Sequence, residues 1–147
     1  MMTTADAPDL EAFFRAYATM MDDGVRTGRI DGEAVAAFFA DAFVGAAPAG
    51  VAVGENKGLG ATIDGAIEGY RAMGGTRFVA ERIAIEELAP ASAMATLDWR
   101  FDYDRDGRTG SIRFTNRYLV NSAGGTPKIF AWVTPDEQQA LAEHGLI

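Results

Sequence analysis

Cysteine is missing from the 147 residues, and histidine occurs once, at His144. Disulfides are therefore excluded, and so is a metal site built from cysteine and histidine; only oxygen-ligand sites remain open. Basic residues are few: 13 Lys and Arg against 21 Asp and Glu leave a net charge of −8. Nucleic acid and anionic membrane surfaces repel such a protein, so neither is an expected partner. No apolar run approaches the roughly 18 residues of a membrane span, and MMTTADAPD lacks a basic segment followed by an apolar one. The expectation is a cytoplasmic protein with no metal and no cofactor. Apolar residues are plentiful at 48%, enough at this length for one domain, 1–147, with a true core.

Leu10, Phe13, Phe14, Tyr17, Met20 and Met21 recur at three- and four-residue steps. That spacing predicts an amphipathic helix, capped by Asp6 or Asp9. GVRTGRIDG interrupts it, with Gly24 and Gly28 marking the break, and Asp31 opens a second helix whose stripe is Val35, Phe38 and Phe39. FVGAAPAGVAVGENKG is small and punctuated by Gly and Pro, so a brief strand and a loop are expected there. A third helix runs from Leu59 to Met73 with Ile63, Ile67 and Tyr70 on its buried side. Beyond Gly74 and Gly75, the segments TRFVAERIAIEEL, SAMATLDWRFDY, TGSIRFTNRYLV and PKIFAWVT read as four consecutive strands, hence an antiparallel meander. PDEQQALAEHGL reads as a short C-terminal helix, with Thr134 as cap and Pro135 in the first turn. Helices followed by a meander is α+β order. Strands of roughly ten residues curl, so the expected fold is a curled antiparallel sheet forming a cone closed by three N-terminal helices.

LDWRFDYD has two chemically different faces: Leu97, Trp99, Phe101 and Tyr103 on one, Asp98, Arg100 and Asp102 on the other. Burying three charges costs several kcal/mol each unless they are paired, whereas exposing the aromatics leaves a large apolar patch, so the aromatic face belongs inside. The next strand splits the same way, with Ile112, Phe114, Asn116, Tyr118 and Val120 inward. On the last strand Phe130, Trp132 and Thr134 are expected to share the inner face. Ionic side chains on the outer face pair across the DRDG hairpin for a few tenths of a kcal/mol each.

The order of elements, with FFADAF in the second helix, a short APAG strand and a meander ending WVTPDEQQALAEHGL, resembles the nuclear transport factor 2-like superfamily, the SnoaL-like and ketosteroid-isomerase-like α+β cone. The resemblance implies a homodimer through the outer sheet face and a cone that holds a small molecule. It does not fix a reaction, because this fold hosts isomerases, cyclases, dehydratases, epoxide hydrolases and noncatalytic binders. The isomerase pattern places its hydrogen-bonding tyrosine on Tyr17, its general-base aspartate on Ala47 and its protonated aspartate on Asn116. Two donors without a base imply binding or another reaction. The epoxide-hydrolase pattern, an arginine between two aspartates, falls on Arg100, Asp102 and Thr134, but Arg100 and Asp102 belong to the outward face.

Asp102, Asp104, Asp106 and Gly107 spell the opening of a calcium loop, yet Arg113 stands where a bidentate glutamate is needed, so a polar turn is expected. His144, ahead of Gly145, reads as a helix C-cap and as a candidate acid–base residue; Asp23 is the other candidate, and both Asp22 and Asp23 read as exposed linker acids. The function expected is a pocket for a small, largely apolar organic ligand, lined by Tyr17, Trp99, Phe101, Phe114, Asn116, Tyr118, Phe130, Trp132 and Thr134. The alternatives are an isomerase, dehydratase or cyclase with an unusual acid–base residue, and a structural dimerisation module with a filled cone.

Overall fold

The carboxylate of Asp9 accepts the Ala12 N–H at 3.0 Å and starts the first helix, α1, Leu10–Thr27. This computed structural model describes residues 8–135 and 137–147; Asp6, the alternative cap, lies outside them. The helix runs six residues beyond Met21, through Gly24, and ends at Gly28, whose φ of 78° lets its N–H return to the Gly24 carbonyl at 2.8 Å. Asp22 and Asp23 are thereby helical residues rather than linker acids.

The second helix, α2, is shorter than its apolar stripe suggests, Gly32–Ala36, capped by Asp31. Asn56 supplies the reason: its side-chain amide donates to the carbonyls of Ala36 at 2.8 Å and Phe39 at 3.1 Å, holding the chain open past the helix end. Phe39 then begins strand β1, Phe39–Ala47, which forms a hairpin with β2, Gly50–Glu55, in place of the expected loop. Propensity in this Ala- and Gly-rich segment is poor; pairing on both sides of β1 overrides it. Helix α3 spans Leu59–Ala72.

The meander follows as β3 (Gly75–Ala89), β4 (Ser92–Arg105), β5 (Arg108–Asn121) and β6 (Lys128–Val133), and helix α4 occupies Glu137–Glu143. All six strands form one sheet in the order β2-β1-β6-β5-β4-β3, antiparallel except for β1 beside β6. Three register shifts in the β3–β4 pairing bend the long strands and curl the sheet around the helices without closing it. Thr134, expected to cap α4, instead extends the β1–β6 pairing by donating its backbone N–H to Ala46 at 2.9 Å. No helix among the described residues is long and apolar enough to cross a membrane.

Burial alternates along β4 without a break, from Ala93 through Leu97, Trp99 and Phe101 to Tyr103. Phe14 and Tyr17 of α1 pack against this face, with the Phe14 and Tyr118 rings 5.6 Å apart. The outer face is ionic, as its alternation implies. Glu81 of β3 accepts from Arg113 at 2.9 Å and Arg100 at 3.2 Å, and Arg100 also reaches Asp102 at 2.9 Å. Last-strand facing differs at two residues, Ile129 and Phe130, because alternation puts Ile129 outside and Phe130 inside. A bulge between the Leu119 and Val120 partners puts Ile129 and Trp132 on the inner side and leaves Phe130 outside.

Candidate functional site

Tyr118 is the centre of the polar groups inside the cone. Its hydroxyl oxygen accepts from the Trp99 indole N–H and the Asn116 amide, each at 3.2 Å, and adjoins the hydroxyl of Tyr17. Strand alternation delivers Trp99, Asn116 and Tyr118 to the inner face, and the three-to-four-residue step of α1 delivers Tyr17. Burial holds Tyr17 well above the ordinary tyrosine range, reinforced by Tyr118 and Tyr70. Burial also raises Tyr118, although the Asn116, Trp99 and Tyr17 donors pull the other way. All of these phenols are neutral at physiological pH.

Asn116 engages only one end of its amide. Its Oδ1 is buried and has no hydrogen-bond partner. With the amide N–H given to Tyr118, the end left unsatisfied is the carbonyl oxygen, an acceptor. The inner row of β5 is buried at Ile112, half-buried at Phe114 and Asn116, and buried again at Tyr118 and Val120. That interruption is a recess only in burial, a stretch of the inner row that neighbouring elements leave uncovered. It lies where β6 ends, because the last ladder pair, Arg117 with Val133, sits directly beside Asn116 and Thr134.

Trp132 and Thr134 are half-buried on the β6 side of the recess. The Trp132 indole crosses Gly45, where an added Cβ would stand 2.8 Å from the ring. At the mouth, the hydroxyl of Tyr70 donates to the Glu137 carboxylate at 2.5 Å, joining α3 to α4. Burial raises Tyr70 well above its ordinary value, and the Glu137 charge adds to the effect. The same charge acts on Tyr118, so Glu137 is electrostatically part of the interior.

Neither residue was among those expected at the site. Tyr70 had a signal, since a hydroxyl at the end of a buried stripe needs a partner. Glu137 had none, because an acid in a first helical turn reads as routine.

Other expected residues lie elsewhere. Trp99 and Phe101, each 1% exposed, form the floor beneath the site and are sealed by packing. Phe130 lines a separate outer groove of about 760 Å³ with Phe39, Asn56, Asn121 and Lys128. His144 is half-buried, its Nδ1 3.1 Å from the Tyr103 hydroxyl, and Asp23 pairs with Arg26 at 2.8 Å on the exposed side of α1. Ala47 is exposed at the tip of the β1–β2 hairpin. Asp102 is occupied by Arg100 and Ser111, while Asp106 (φ 54°) and Gly107 (φ 81°) make a tight left-handed turn. No cluster of three or more acidic or histidine side chains suited to a metal occurs among the described residues.

Known proteins share this architecture at low sequence identity. An NTF2-like protein with a cystatin-like fold from Novosphingobium aromaticivorans matches with a TM-score of 0.67 and 16% identity, over 93% of this chain and 88% of its own. A ketosteroid isomerase-like protein from Erwinia carotovora atroseptica gives 0.62 and 18%, over 85% and 91%. A protein from Catenulispora acidiphila, solved in complex with S-DNPA, gives 0.61 and 15%, over 90% and 97%. At such identities the likeness carries the fold alone. No curated protein matches the chain. The model of the NTF2-like protein family DUF6841 matches residues 6–137, nearly the whole length, and the chain belongs to that family.

Proposed function

We propose that this single-domain protein works in the cytoplasm as a homodimer that binds a small, largely apolar organic molecule, cyclic ones included, in the recess above Asn116. The observation that carries the reading is the unpaired, buried Oδ1 of Asn116 at the point where the inner row of β5 loses its cover. A buried polar group without a partner costs about 1–3 kcal/mol, and a ligand polar atom placed there recovers it. Phe114 and Trp132 supply apolar walls, while Tyr17, Tyr118 and Thr134 add polar edges. His144 and Asp23 are engaged with Tyr103 and Arg26, and no observation favours either as an acid–base residue in the recess.

Support for the dimer comes from the outer face of β2, β1 and β6. Val44, Val51, Val53 and Val133, 38–79% exposed, stand together on the side opposite Phe43 and Trp132. An apolar strip beside an ionic ladder suits a self-complementary contact.

A competing reading, a filled core acting only as a dimerisation module, draws on the near-complete burial of Trp99 and Phe101. Titration with a panel of steroids, terpenes and aromatic polyketides separates the two. Binding changes Trp132 fluorescence, and ligand at about 100 times Kd adds about 2.7 kcal/mol of stability. Asn116→Leu keeps the fold and weakens a hydrogen-bonding ligand about tenfold. A flat fluorescence signal and an unchanged melting temperature across the panel would favour the filled core.

A further inference from the structure

The free polar positions of the recess share one chemical character. Asn116 spends its amide N–H on Tyr118, so the position left over is the carbonyl oxygen Oδ1, an acceptor. Glu137 is the second acceptor. A carboxylate has room for about four hydrogen bonds, and the Tyr70 hydroxyl is the partner found for it, on Oε1. No Lys, Arg or His lies within ion-pair distance of Glu137 among the described residues.

Both acceptors lie near Tyr118, whose hydroxyl bonds the Asn116 amide and feels the Glu137 charge. Thr134 lies beside Asn116 through the Arg117–Val133 pair. Glu137 follows Thr134 by three residues, a reach of about 10 Å at most. Aromatic residues are at hand on the same side of the sheet: Phe114 and Trp132, and the Tyr70 ring, whose centroid is 5.1 Å from Phe78 and 5.3 Å from Phe101.

Resting on the reading of the recess as a ligand site, we propose that its ligand is a protonated amine on an apolar body, with the ammonium between Glu137 and Asn116 and the hydrocarbon against Phe114 and Trp132. An ammonium brings donors and no acceptor, which matches two acceptors and mismatches a carboxylate or a phosphate. It also pairs with a partly desolvated negative charge and is attracted to aromatic faces. The overall charge of −8 draws cations and repels anionic competitors.

Three compounds of one shape provide the test: 1-adamantanamine, 1-adamantanol and 1-adamantanecarboxylate, titrated by calorimetry at pH 7 and low salt. The amine is expected to bind at least tenfold more tightly than the alcohol, with the carboxylate weakest. Glu137→Gln is expected to reduce that preference to less than threefold while the alcohol stays within twofold of its original affinity. Tyr70→Phe removes the same α3–α4 tie but keeps the carboxylate, and is expected to retain the amine preference. If Glu137 served only to dock α4, both variants would lose binding alike, which overturns the proposal. So does an alcohol that binds as well as the amine, or a preference that survives Glu137→Gln. Should neutral members of the steroid and terpene panel bind while the amine does not, the amine class falls and the recess stands. If nothing binds, the recess reading falls and takes the amine class with it.

Discussion

Replacing Asp22 with alanine should cost about 1–4 kcal/mol, and the sum can be worked from its contacts. Asp22 sits two-thirds of the way along α1 and grips the start of β3. Its carboxylate takes the Arg77 guanidinium on both oxygens, at 2.8 to 3.2 Å, and the Phe78 N–H at 2.8 Å. Removing the side chain leaves the part-buried Phe78 amide without an acceptor, about 1–3 kcal/mol. The ion pair adds about 0–1 kcal/mol, because Arg77 is 46% exposed and screened by solvent. At about 2–4 °C per kcal/mol for a chain of this size, the melting temperature falls by about 2–16 °C. Asp22→Asn keeps an acceptor for Phe78 and loses less, about 1 kcal/mol.

The pH dependence supplies a second check. Burial opposes ionisation of Asp22, but hydrogen bonds from Arg77 and Phe78 and the Arg77 charge outweigh it and hold the carboxyl below its ordinary value. A depressed folded pKa means the contribution is complete above the unfolded value near 3.9 and is lost as pH falls through the folded one. Urea unfolding of wild type and Asp22→Ala from pH 7 downward should therefore show a gap that narrows in acid, where the protonated carboxyl keeps only its carbonyl oxygen for Phe78. A gap below about 0.5 kcal/mol at pH 7, within the range of an ordinary surface substitution, would refute the reasoning. A gap that stays constant into acid would also refute it. The variant also bears on the site, since Tyr17 rides on the same helix one and a half turns earlier.

Gly45→Ala places a methyl 2.8 Å from the Trp132 indole, so the ring must move. The expected cost is about 1–3 kcal/mol, with a shifted Trp132 emission; an unchanged spectrum and unfolding midpoint would contradict the placement. For the dimer, Val53→Asp is the sharper probe, because Val53 is 79% exposed whereas Arg113 is already engaged with Glu81 inside one chain. Sedimentation of wild type at tens of micromolar, above a Kd of about a micromolar, should give a dimer and Val53→Asp a monomer of unchanged melting temperature; a monomeric wild type removes the proposal.

Much of the fold was legible without coordinates because its signals are local. The period of α1 and α3, the unbroken alternation of β4 and the Asp-Gly turn after it depend on neighbours a few residues away, and the structure has them where the pattern puts them, except that α1 continues through Gly24 to Thr27. The inward aromatic face and the outward ionic ladder follow from the cost of burying unpaired charge. Expectation and structure part where a distant residue intervenes. Asn56 ends α2 by binding carbonyls 17 and 20 positions away, and β1 pairs with β2 and β6 in spite of its composition. The bulge that turns Phe130 outward belongs to the pairing of two strands and to neither strand alone.

The site divides along the same line. Composition and alternation determined that Asn116, Tyr118 and Trp132 would face a concave interior, since period and hydrophobicity are written residue by residue. Tertiary structure alone decided which polar groups there would be satisfied. Tyr118 accepts from Trp99 and Asn116, Asn116 is left with a free Oδ1, and Glu137 meets Tyr70 across 67 residues of chain. Hydrogen bonds are short and directional, so a shift of an ångström makes or breaks them, whereas apolar burial tolerates such a shift. The chain's pattern therefore specifies the curled sheet, and only its packing specifies which polar groups stay free inside it.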